Sequence, residues 1–375
     1  MTKNLGHMDI EKKTEYDNIL EEFGISRIKK ELPRIGTDHL FFRRGIIFAH
    51  RDFDKILNRI EQKKGWAIVS GRGPSNNLTY GHLILFELIK YLQEKYQCQF
   101  FLPFSDDEKY VFRKNESLES TYNLALENAI DIFALGFQPN QVHAYISSLT
   151  PRIAYLALTF SVNLTSNSIK SALGFIGEEN VGMLYYSCTQ AAHILHPTTD
   201  HDLPVVVPIG LDQDVYMRLT RDVARKRRIT LPASLYIKYL KGLDGGPMSS
   251  SNPENCIFLR DGPQIVKKKI LKAFTGGRAT IKEQRELGAN PEICTIYDWF
   301  EKFFIKDDKE LADICRECKN GKIICGLDCK PKLINLIHEF QKQFEQRKKG
   351  VIKNLHKYFD HEIDMSEINA RSDSK

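Results

Sequence analysis

Trp66-Ala67-Ile68-Val69-Ser70-Gly71-Arg72-Gly73-Pro74-Ser75, followed by Thr79-Tyr80-Gly81-His82-Leu83, sets the architecture of this chain. An apolar run leads into a glycine-rich loop, and behind it apolar residues recur from Leu85 to Tyr96 at helical spacing. This order predicts a strand, a loop and a helix. Backbone N–H groups and the positive end of the helix would then favour a phosphate. Because short glycine motifs are weak signals, an ordinary turn remains the alternative on these residues alone.

Length and composition are those of a globular protein with room for two domains and a buried core. Hydrophobic residues make up 42% and charged residues 27% of the 375 residues. No apolar run approaches the about 20 residues that a membrane helix needs. The polar segment Met1–Glu15 contains no visible secretory signal. We therefore expect a cytoplasmic protein that has no membrane partner.

Strand-like and helix-like runs alternate beyond the opening loop. Strands are predicted at 66–69, 99–102, 142–146 and 203–209, and helices at 53–61, 81–96, 124–136, within 151–195 and at 215–228. Such alternation implies right-handed crossovers and a parallel sheet with helices on both faces. Ligands bind beyond the carboxyl ends of such strands. Three polar clusters follow predicted strands, at 71–73, 106–108 and 212–213, and they predict a nucleotide or small-molecule site.

The pattern changes near Asp261, where strand-like runs stop. We predict an N-terminal extension at 1–45 with short helical patches (16–23 and 28–32), an α/β domain at 46–261, and an all-helical domain at 262–375. The predicted C-terminal helices cover 263–275, 296–317 and 330–358. The net charge is +6, and basic residues cluster at 225–228, 267–269 and 342–353. Such clusters can bind nucleic-acid phosphates, although they are more often solvated helix faces.

The order of these motifs resembles class I aminoacyl-tRNA synthetases, and specifically the eukaryotic and archaeal tryptophanyl type. Gly71–Ser75 with Gly81–Leu83 is similar to that family's version of the "HIGH" region, and Pro247–Ser251 stands at its "KMSKS" loop. The other similar segments are Phe42–Ile46, His50–Asp52, Asp106–Tyr110, Gln190–Ala192, Asp212–Asp214, Arg218–Asp222, and Gly276–Arg278 with Thr280.

The resemblance implies a fold and an activity. The fold is a Rossmann-type parallel-sheet catalytic domain at 46–261 with a helical anticodon-binding domain at 262–375. The activity joins ATP and tryptophan into tryptophanyl-adenylate and then transfers the tryptophanyl group to tRNA. Mg²⁺ accompanies the ATP phosphates, and the protein works as a homodimer. Catalysis then rests on positioning and on charge stabilisation at the α-phosphate.

The resemblance also implies roles for single residues. The expected ATP contacts are Arg72, Gly73, Gly81, His82 on the phosphates, Asp212 on a ribose hydroxyl, and Met248. Glu108, Gln190 and Gln213 are expected to hold the amino and carboxylate groups of the amino acid, in a site that also includes Val69, Pro103 and Ser105. Thr79, Ser249 and Ser251 join His82 at the catalytic positions. The alternatives are that Gln190 caps a buried helix and that Glu108 is a surface acid.

The chain departs from the family pattern at several positions, which include Ser250 at the second lysine of the second motif and the segment Asn290–Cys294. Thr79 replaces the first histidine, and its hydroxyl cannot carry a positive charge. Pro247 replaces the first lysine of the second motif, which removes a cation from the leaving pyrophosphate and stiffens the loop. Val69 and Pro103 replace a tyrosine and a glutamine, so a buried indole N–H would lose partners at a cost of ~1–3 kcal/mol.

Three hypotheses about function follow. The first, favoured by resemblance over nearly the whole chain, is a divergent tryptophanyl-tRNA synthetase. The second is a paralogue that binds nucleotide or tRNA without efficient aminoacylation. The third is an RNA-binding scaffold built on the helical domain, against which the polar loops at the sheet edge argue.

Four of the eight cysteines lie close together in the C-terminal part of the sequence, at Cys315, Cys318, Cys325 and Cys329. Two pairs converging across a loop could form a tetrahedral zinc site. The central spacing is short for common zinc modules. The alternative is that the four side chains fill a helix–helix contact.

Overall fold

A seven-stranded sheet forms the centre of the molecule, with the strand order β1-β2-β7-β6-β3-β4-β5. The structure is a computed structural model that describes residues 23–74, 77–113 and 116–366. Ser75 and most of the helical patch predicted at 16–23 lie outside these ranges. The strands are β1 (Ser26–Arg27), β2 (Ile47–Arg51), β3 (Ala67–Val69), β4 (Gln99–Phe104), β5 (Val142–Ile146), β6 (Val205–Ile209) and β7 (Ala233–Ile237).

Strands β7, β6, β3, β4 and β5 pair in parallel, as the alternating sequence pattern predicts. The other edge is a correction to that prediction, because β2 runs antiparallel to β7 and β1 runs antiparallel to β2. Strand β1 lies in the extension predicted to be helical. Its two residues carry no period-2 signal, and their partners are provided by a strand more than twenty residues away.

Helices of the first part of the chain flank the sheet. They are α1 (Leu32–Ile35), α2 (Leu40–Arg43), α3 (Phe53–Glu61), α4 (Tyr80–Tyr96), α5 (Asp106–Phe112), α6 (Leu118–Phe133), α7 (Pro151–Ser161), α8 (Ser166–Leu173), α9 (Val181–His201) and α10 (Asp214–Arg227). The C-terminal helices are α11 (Pro263–Lys272), α12 (Ile281–Leu287), α13 (Thr295–Trp299), α14 (Asp308–Lys319) and α15 (Lys330–Asn354). None of the helices in the described ranges is long and apolar enough to cross a membrane.

The helix predicted over 296–317 is interrupted. Helix α13 passes into a π-helical turn at Phe300–Phe304, and α14 then begins anew. The Asp307 side chain accepts a hydrogen bond from the backbone N–H of Glu310 at 2.7 Å, so it is the N-cap of the second helix. The apolar period continues across this break, which is why the pattern alone did not reveal it.

The two faces of the sheet are buried in different cores, because neighbouring residues of a strand point to opposite sides. Ile68 and Phe100 belong to the large core, which extends into the helical part of the chain. Val69 and Phe101 pack on the other side with Ile194 of α9. The C-terminal helices dock against α4, where the Tyr80 ring stacks on Trp299 at a centroid distance of 5.6 Å.

The end of the described chain returns to the sheet. After α15, Phe359 forms a parallel bridge with Ala144 of β5, and the Asp360 backbone N–H donates to the Ala144 carbonyl at 2.9 Å. The Phe359 ring stacks on Phe104 of β4 at 5.9 Å. We call residues 355–361 the C-terminal strap, and it ties the helical domain to the far edge of the sheet.

Candidate active site

The glycine-rich loop extends the pairing of β3 with β4. The Arg72 backbone N–H donates to the Pro103 carbonyl at 2.8 Å, and the Ser105 N–H donates to the Arg72 carbonyl at 3.0 Å. The loop therefore lies beside the start of α5. A Cβ at Gly73 would lie 2.3 Å from Glu108 Oε2, so a side chain there would displace that carboxylate. The predicted strand, loop and helix are present. The polar clusters at 71–73 and 106–108 are in contact.

Thr79 and His82 close the first turn of α4. His82 Nδ1 lies 2.9 Å from Thr79 Oγ1 and 3.0 Å from the Thr79 backbone nitrogen. On the other side of the ring, Nε2 lies 3.0 Å from Nη1 of Arg72. If Nε2 accepts from the Arg72 guanidinium, the single proton of the neutral ring is on Nδ1, which donates to Thr79 Oγ1. Burial first and Arg72 second hold the pKa of His82 well below its usual value. Thr79 is the N-cap residue of α4, and its hydroxyl is the partner of the His82 ring.

Arg72 is the cation next to this turn. Its Nε donates to Asn128 Oδ1 at 2.9 Å. Burial lowers the pKa of Arg72 to about 10, and the nearby Glu108 carboxylate opposes that shift. The guanidinium therefore stays charged at neutral pH. Together with the α4 N-terminus, it makes the loop suited to a phosphate group.

The loop at Pro247–Ser251 packs against the first turn of α4. A Cβ at Gly81 would be 2.9 Å from the Met248 sulfur, so the absence of a side chain allows this contact. Pro247 forms an isolated antiparallel β-bridge with Lys241, and Asn255 Nδ2 donates to the Pro247 carbonyl at 2.7 Å. Ser249 and Ser251 are exposed beyond it. The Lys241 ammonium donates to the Glu292 backbone carbonyl at 2.9 Å.

The third polar cluster follows β6, which neighbours β3 in the sheet. Asp212 and Gln213 form a short 3-10 turn, both are exposed, and Gln213 Nε2 donates to Asp212 Oδ2 at 2.8 Å. Tyr239, which the sequence analysis did not identify, lies close to this turn. A Cβ at Gly210 would meet the Tyr239 ring at 2.5 Å. The turn thus lies at the same edge of the sheet as the glycine-rich loop.

Residues predicted to hold the amino acid converge on Tyr186 of α9. Its buried hydroxyl donates to Gln190 Oε1 at 2.8 Å, and Ser105 is a second hydrogen-bonding neighbour. Burial, followed by the Glu108 carboxylate, raises the pKa of Tyr186 well above its usual value. The same two causes raise the pKa of Tyr216 to about 12. Glu108, Ser105 and Gln190 therefore surround one phenol group.

The positions of Gln190 and Glu108 bear on the two alternatives left by the sequence. Gln190 lies in the middle of α9, so it does not cap a helix. Glu108 is half-buried, and it pairs with the Lys109 ammonium at 3.1 Å. Neither Tyr186 nor Tyr216 was predicted. Their only sequence signal is spacing, because they lie four residues before Gln190 and three after Gln213.

The departures at Val69 and Pro103 make one wall of this region apolar. Val69 packs against Phe101, Ile194 and Met217. Pro103 flanks Gly71, with its Cγ 3.5 Å from a Cβ built on that glycine. The polar atoms around Tyr186 belong to Ser105, to Glu108 of α5 and to Gln190 of α9.

The cysteines do not assemble a metal site. Across 23–74, 77–113 and 116–366, no three His, Cys, Asp or Glu side chains are placed to hold one ion. Cys318 is buried, Cys329 packs against the large core, and Cys325 Sγ lies 3.5 Å from Gln284 Nε2. The zinc hypothesis for Cys315, Cys318, Cys325 and Cys329 therefore lacks its geometry, and the packing alternative is favoured.

Comparison with known proteins identifies close relatives. Residues 61–342 match the model of the family described as tRNA synthetases class I (W and Y). A tryptophan–tRNA ligase of Methanocaldococcus jannaschii is 40% identical over 343 residues, which cover 89% of this chain and 92% of that protein. One from Thermococcus onnurineus is 38% identical over 365 residues, covering 93% of this chain and 92% of its own length.

Solved structures give the same result for the fold. The tryptophanyl-tRNA synthetase of Aeropyrum pernix superposes with a TM-score of 0.87 at 34% identity, covering 94% of this chain and 98% of its own. A tryptophanyl-tRNA synthetase of Encephalitozoon cuniculi, bound to tryptophan, superposes with a TM-score of 0.82 at 29% identity, covering 92% and 97%. The similarity extends over the sheet domain and the helical domain.

Proposed function

The chain belongs to the tryptophanyl-tRNA synthetases of class I, and from this premise we propose that its sheet-edge cleft carries out both steps of tryptophan–tRNA ligation. The observation that carries the proposal is that three segments meet at one edge. These segments are the Arg72–Gly73 loop, the group around Glu108 and Gln190, and the loop of Met248. Identity to tryptophan–tRNA ligases over about nine-tenths of the chain favours an active ligase over the paralogue and the scaffold.

In the first step, a carboxylate oxygen of tryptophan attacks the α-phosphorus of ATP. The bond from that phosphorus to the bridging oxygen breaks, and pyrophosphate leaves. Arg72 and the N-terminus of α4 stabilise the negative charge on the phosphates. His82 holds the Arg72 guanidinium in place through its neutral ring. Gly81 and Met248 accommodate the adenosine, and Asp212 binds a ribose hydroxyl.

The amino acid is held by groups on three elements. The Glu108 carboxylate and the Gln190 side chain bind the ammonium group, and Gln213 orients the carboxylate towards the phosphate. Ser105 and Tyr186 keep Gln190 and its surroundings fixed. The indole packs on the apolar wall formed by Val69 and Pro103. Such positioning lowers the barrier by holding the reacting atoms in line.

Mg²⁺ enters as part of the substrate in this proposal. Among residues 23–74, 77–113 and 116–366, no three His, Cys, Asp or Glu side chains are grouped to hold an ion. In this proposal the ion arrives on the ATP phosphates and keeps most of its waters, as Mg²⁺ commonly does. Its contribution is to neutralise phosphate charge, and orientation is left to the protein.

In the second step, a terminal ribose hydroxyl of the tRNA attacks the tryptophanyl carbonyl carbon, and AMP leaves. The helical domain is proposed to bind the tRNA. Exposed lysines on α11, at Lys267, Lys268 and Lys272, provide positive charge for phosphate contacts. The exposed Phe274, which is 43% accessible just behind α11, offers a surface for a base to stack on.

A second copy of the chain is the proposed partner in the assembly. Tyr155 and Leu158 of α7 and Val162, the residue directly after α7, follow the spacing i, i+3 and i+7, and they are 57%, 63% and 80% exposed. Val181 and Tyr185 at the start of α9 are also exposed. A homodimer would remove this apolar surface from water.

The test of the proposed function is ATP–pyrophosphate exchange measured with each of several amino acids, followed by aminoacylation of tRNA. We expect exchange that depends on tryptophan and exceeds that with phenylalanine or tyrosine. Exchange at background with every amino acid, together with retained tRNA binding, would return the paralogue hypothesis to first place.

A further inference from the structure

We propose that Asp107 is a positioning residue, held by a buried one-way hydrogen-bond chain that runs from Tyr145 through His193 and Ser147 and fixes the backbone of Glu108. The inference deepens the proposed function, because it rests on the role of Glu108 in binding the amino acid. It explains a set of buried polar groups that lie behind the cleft.

The chain of hydrogen bonds is continuous. Ser147 Oγ lies 2.7 Å from Asp107 Oδ2 and 3.2 Å from His193 Nε2. His193 Nδ1 lies 3.2 Å from the Tyr145 hydroxyl. Tyr145 and His193 are each only 1% exposed, and Ser147 is 4% exposed. These groups are therefore shielded from water, and the contacts among them are their means of satisfying polar atoms.

One direction of donation fits every contact. An ionised Asp107 can only accept, so Ser147 donates to it. The Ser147 oxygen then accepts from His193 Nε2–H, and His193 Nδ1 accepts from the Tyr145 hydroxyl. This assignment needs a neutral His193, and burial lowers the pKa of His193 to about 3. The negative charge on Asp107 thus fixes the tautomer of His193 and, through it, the direction of the Tyr145 hydroxyl.

The other Asp107 oxygen reaches the cleft. Oδ1 accepts from the Glu108 backbone N–H at 2.9 Å. The preceding residue makes a parallel connection, since Asp106 Oδ1 accepts from the Ser148 N–H at 3.0 Å. Two consecutive carboxylates therefore tie the first turn of α5 to the turn that follows β5. This fixes the direction in which the Glu108 side chain leaves the helix, towards Tyr186 and Tyr216.

Protonation of Asp107 would oppose this arrangement. Burial raises the pKa of Asp107 to about 6, the Ser147 hydrogen bond lowers it, and the Asp106 and Glu108 carboxylates raise it. The titratable groups facing it from other elements are His193 and Tyr186 of α9 and Tyr145 of β5. A protonated Oδ2 would donate to Ser147 and reverse the chain. Tyr145 would then lose its acceptor, so the connection weakens as pH falls below about 6.

The experiment compares pH profiles of kcat/KM for tryptophan in pyrophosphate exchange. Ser147→Ala removes a bond that lowers the Asp107 pKa, so we expect the acid limb to move up by about one pH unit. Asp107→Asn should abolish that limb and raise the KM for tryptophan while leaving the KM for ATP unchanged. Thr150→Val is the control, because it removes a hydroxyl from the same turn that bonds to the Ile146 carbonyl instead.

The proposal is overturned if the acid limb of the kcat/KM profile has the same midpoint pH in Ser147→Ala as in the wild type. It is also overturned if the acid limb is still present in Asp107→Asn. A carbon-13 NMR titration measures the pKa of the Asp107 carboxyl group directly in the wild type and in Ser147→Ala, without any catalysed reaction. The Asp107 signal is assigned by its loss in Asp107→Asn. An upward move of that titration in Ser147→Ala supports the hydrogen-bond chain, and an unchanged titration overturns it. Absence of tryptophan-dependent exchange in the wild-type protein would instead contradict the proposed function.

Discussion

One hydroxyl group, on Tyr186, connects the residues that the sequence predicts for the amino acid. It donates to Gln190, and it lies beside Ser105 and Glu108. In a region where Val69 and Pro103 provide no polar group, this hydroxyl keeps the remaining polar side chains in a fixed relation. Its effect on substrate binding should therefore exceed that of an ordinary surface tyrosine.

We predict that Tyr186→Phe raises the KM for tryptophan in pyrophosphate exchange about fivefold, with little change in the KM for ATP. A neutral hydrogen bond contributes about 1 kcal/mol, which corresponds to about that factor. Tyr185→Phe is the matched control, because its side chain is 38% exposed and lies next in the sequence. Equal behaviour of the two variants would contradict the role given to Tyr186.

Replacement of Pro247 tests what limits the chemical step. Replacing it with lysine restores a cation beside the leaving pyrophosphate, and such a cation stabilises charge that develops in the transition state. We expect Pro247→Lys to raise the kcat of pyrophosphate exchange by about tenfold or more. Pro247→Ala relieves the stiffness without adding charge and should not reproduce the gain. If both variants are equally fast, the loop's rigidity and not its missing charge limits the rate.

The residues of the candidate site could be predicted from the sequence, whereas the contacts between their side chains could not. The glycine-rich loop, Glu108 and Gln190 were identified from motifs, and the structure brings them to one edge. The contact of His82 with Arg72 depends on how α4 meets the loop, which no local pattern encodes. The same holds for Tyr186, since a tyrosine in a buried helix is ordinarily core.

At the scale of elements, the parallel centre of the sheet was predictable and its edges were not. Strands β3 to β6 are apolar runs separated by helices, a pattern that local sequence carries. Strand β2 pairs with β7, which lies far away in the sequence, and β1 in turn pairs with β2. Local sequence does not encode these pairings. The C-terminal strap is likewise not predictable, because the sequence pattern predicts a helix over 330–358, whereas α15 ends at Asn354.

The C-terminal strap gives a prediction about stability. Phe359 is 9% exposed and packs on Phe104 and Phe133, so Phe359→Ala should lower the free energy of unfolding by about 3 kcal/mol. The measurement is chemical or thermal unfolding. Lys357→Ala, at an exposed position of the same segment, should change stability by no more than about 0.5 kcal/mol. A small effect of Phe359→Ala would mean that the strap is not part of the cooperative fold.

At the scale of the whole molecule, the two domains share one core, and the exposed apolar residues lie elsewhere. The large core joins Ile68 of the sheet to Trp299 and Phe344 of the helical part. By contrast, α7 keeps an apolar stripe in water on the side opposite to its buried residues. A face of this kind is expected to be covered by another protein surface.

The proposed homodimer predicts what a single charge on that face would do. Val162 is 80% exposed, so Val162→Glu should leave the fold of one chain intact. In a dimer interface the new carboxylate would be buried without a partner, at a cost of several kcal/mol. We expect light scattering after gel filtration to show a dimer for the wild type and a larger monomer fraction for Val162→Glu. Leu287→Glu, at a 65% exposed position of α12, is the control that should remain dimeric. A wild-type monomer, or a Val162→Glu dimer as tight as the wild type, would exclude this face as the interface.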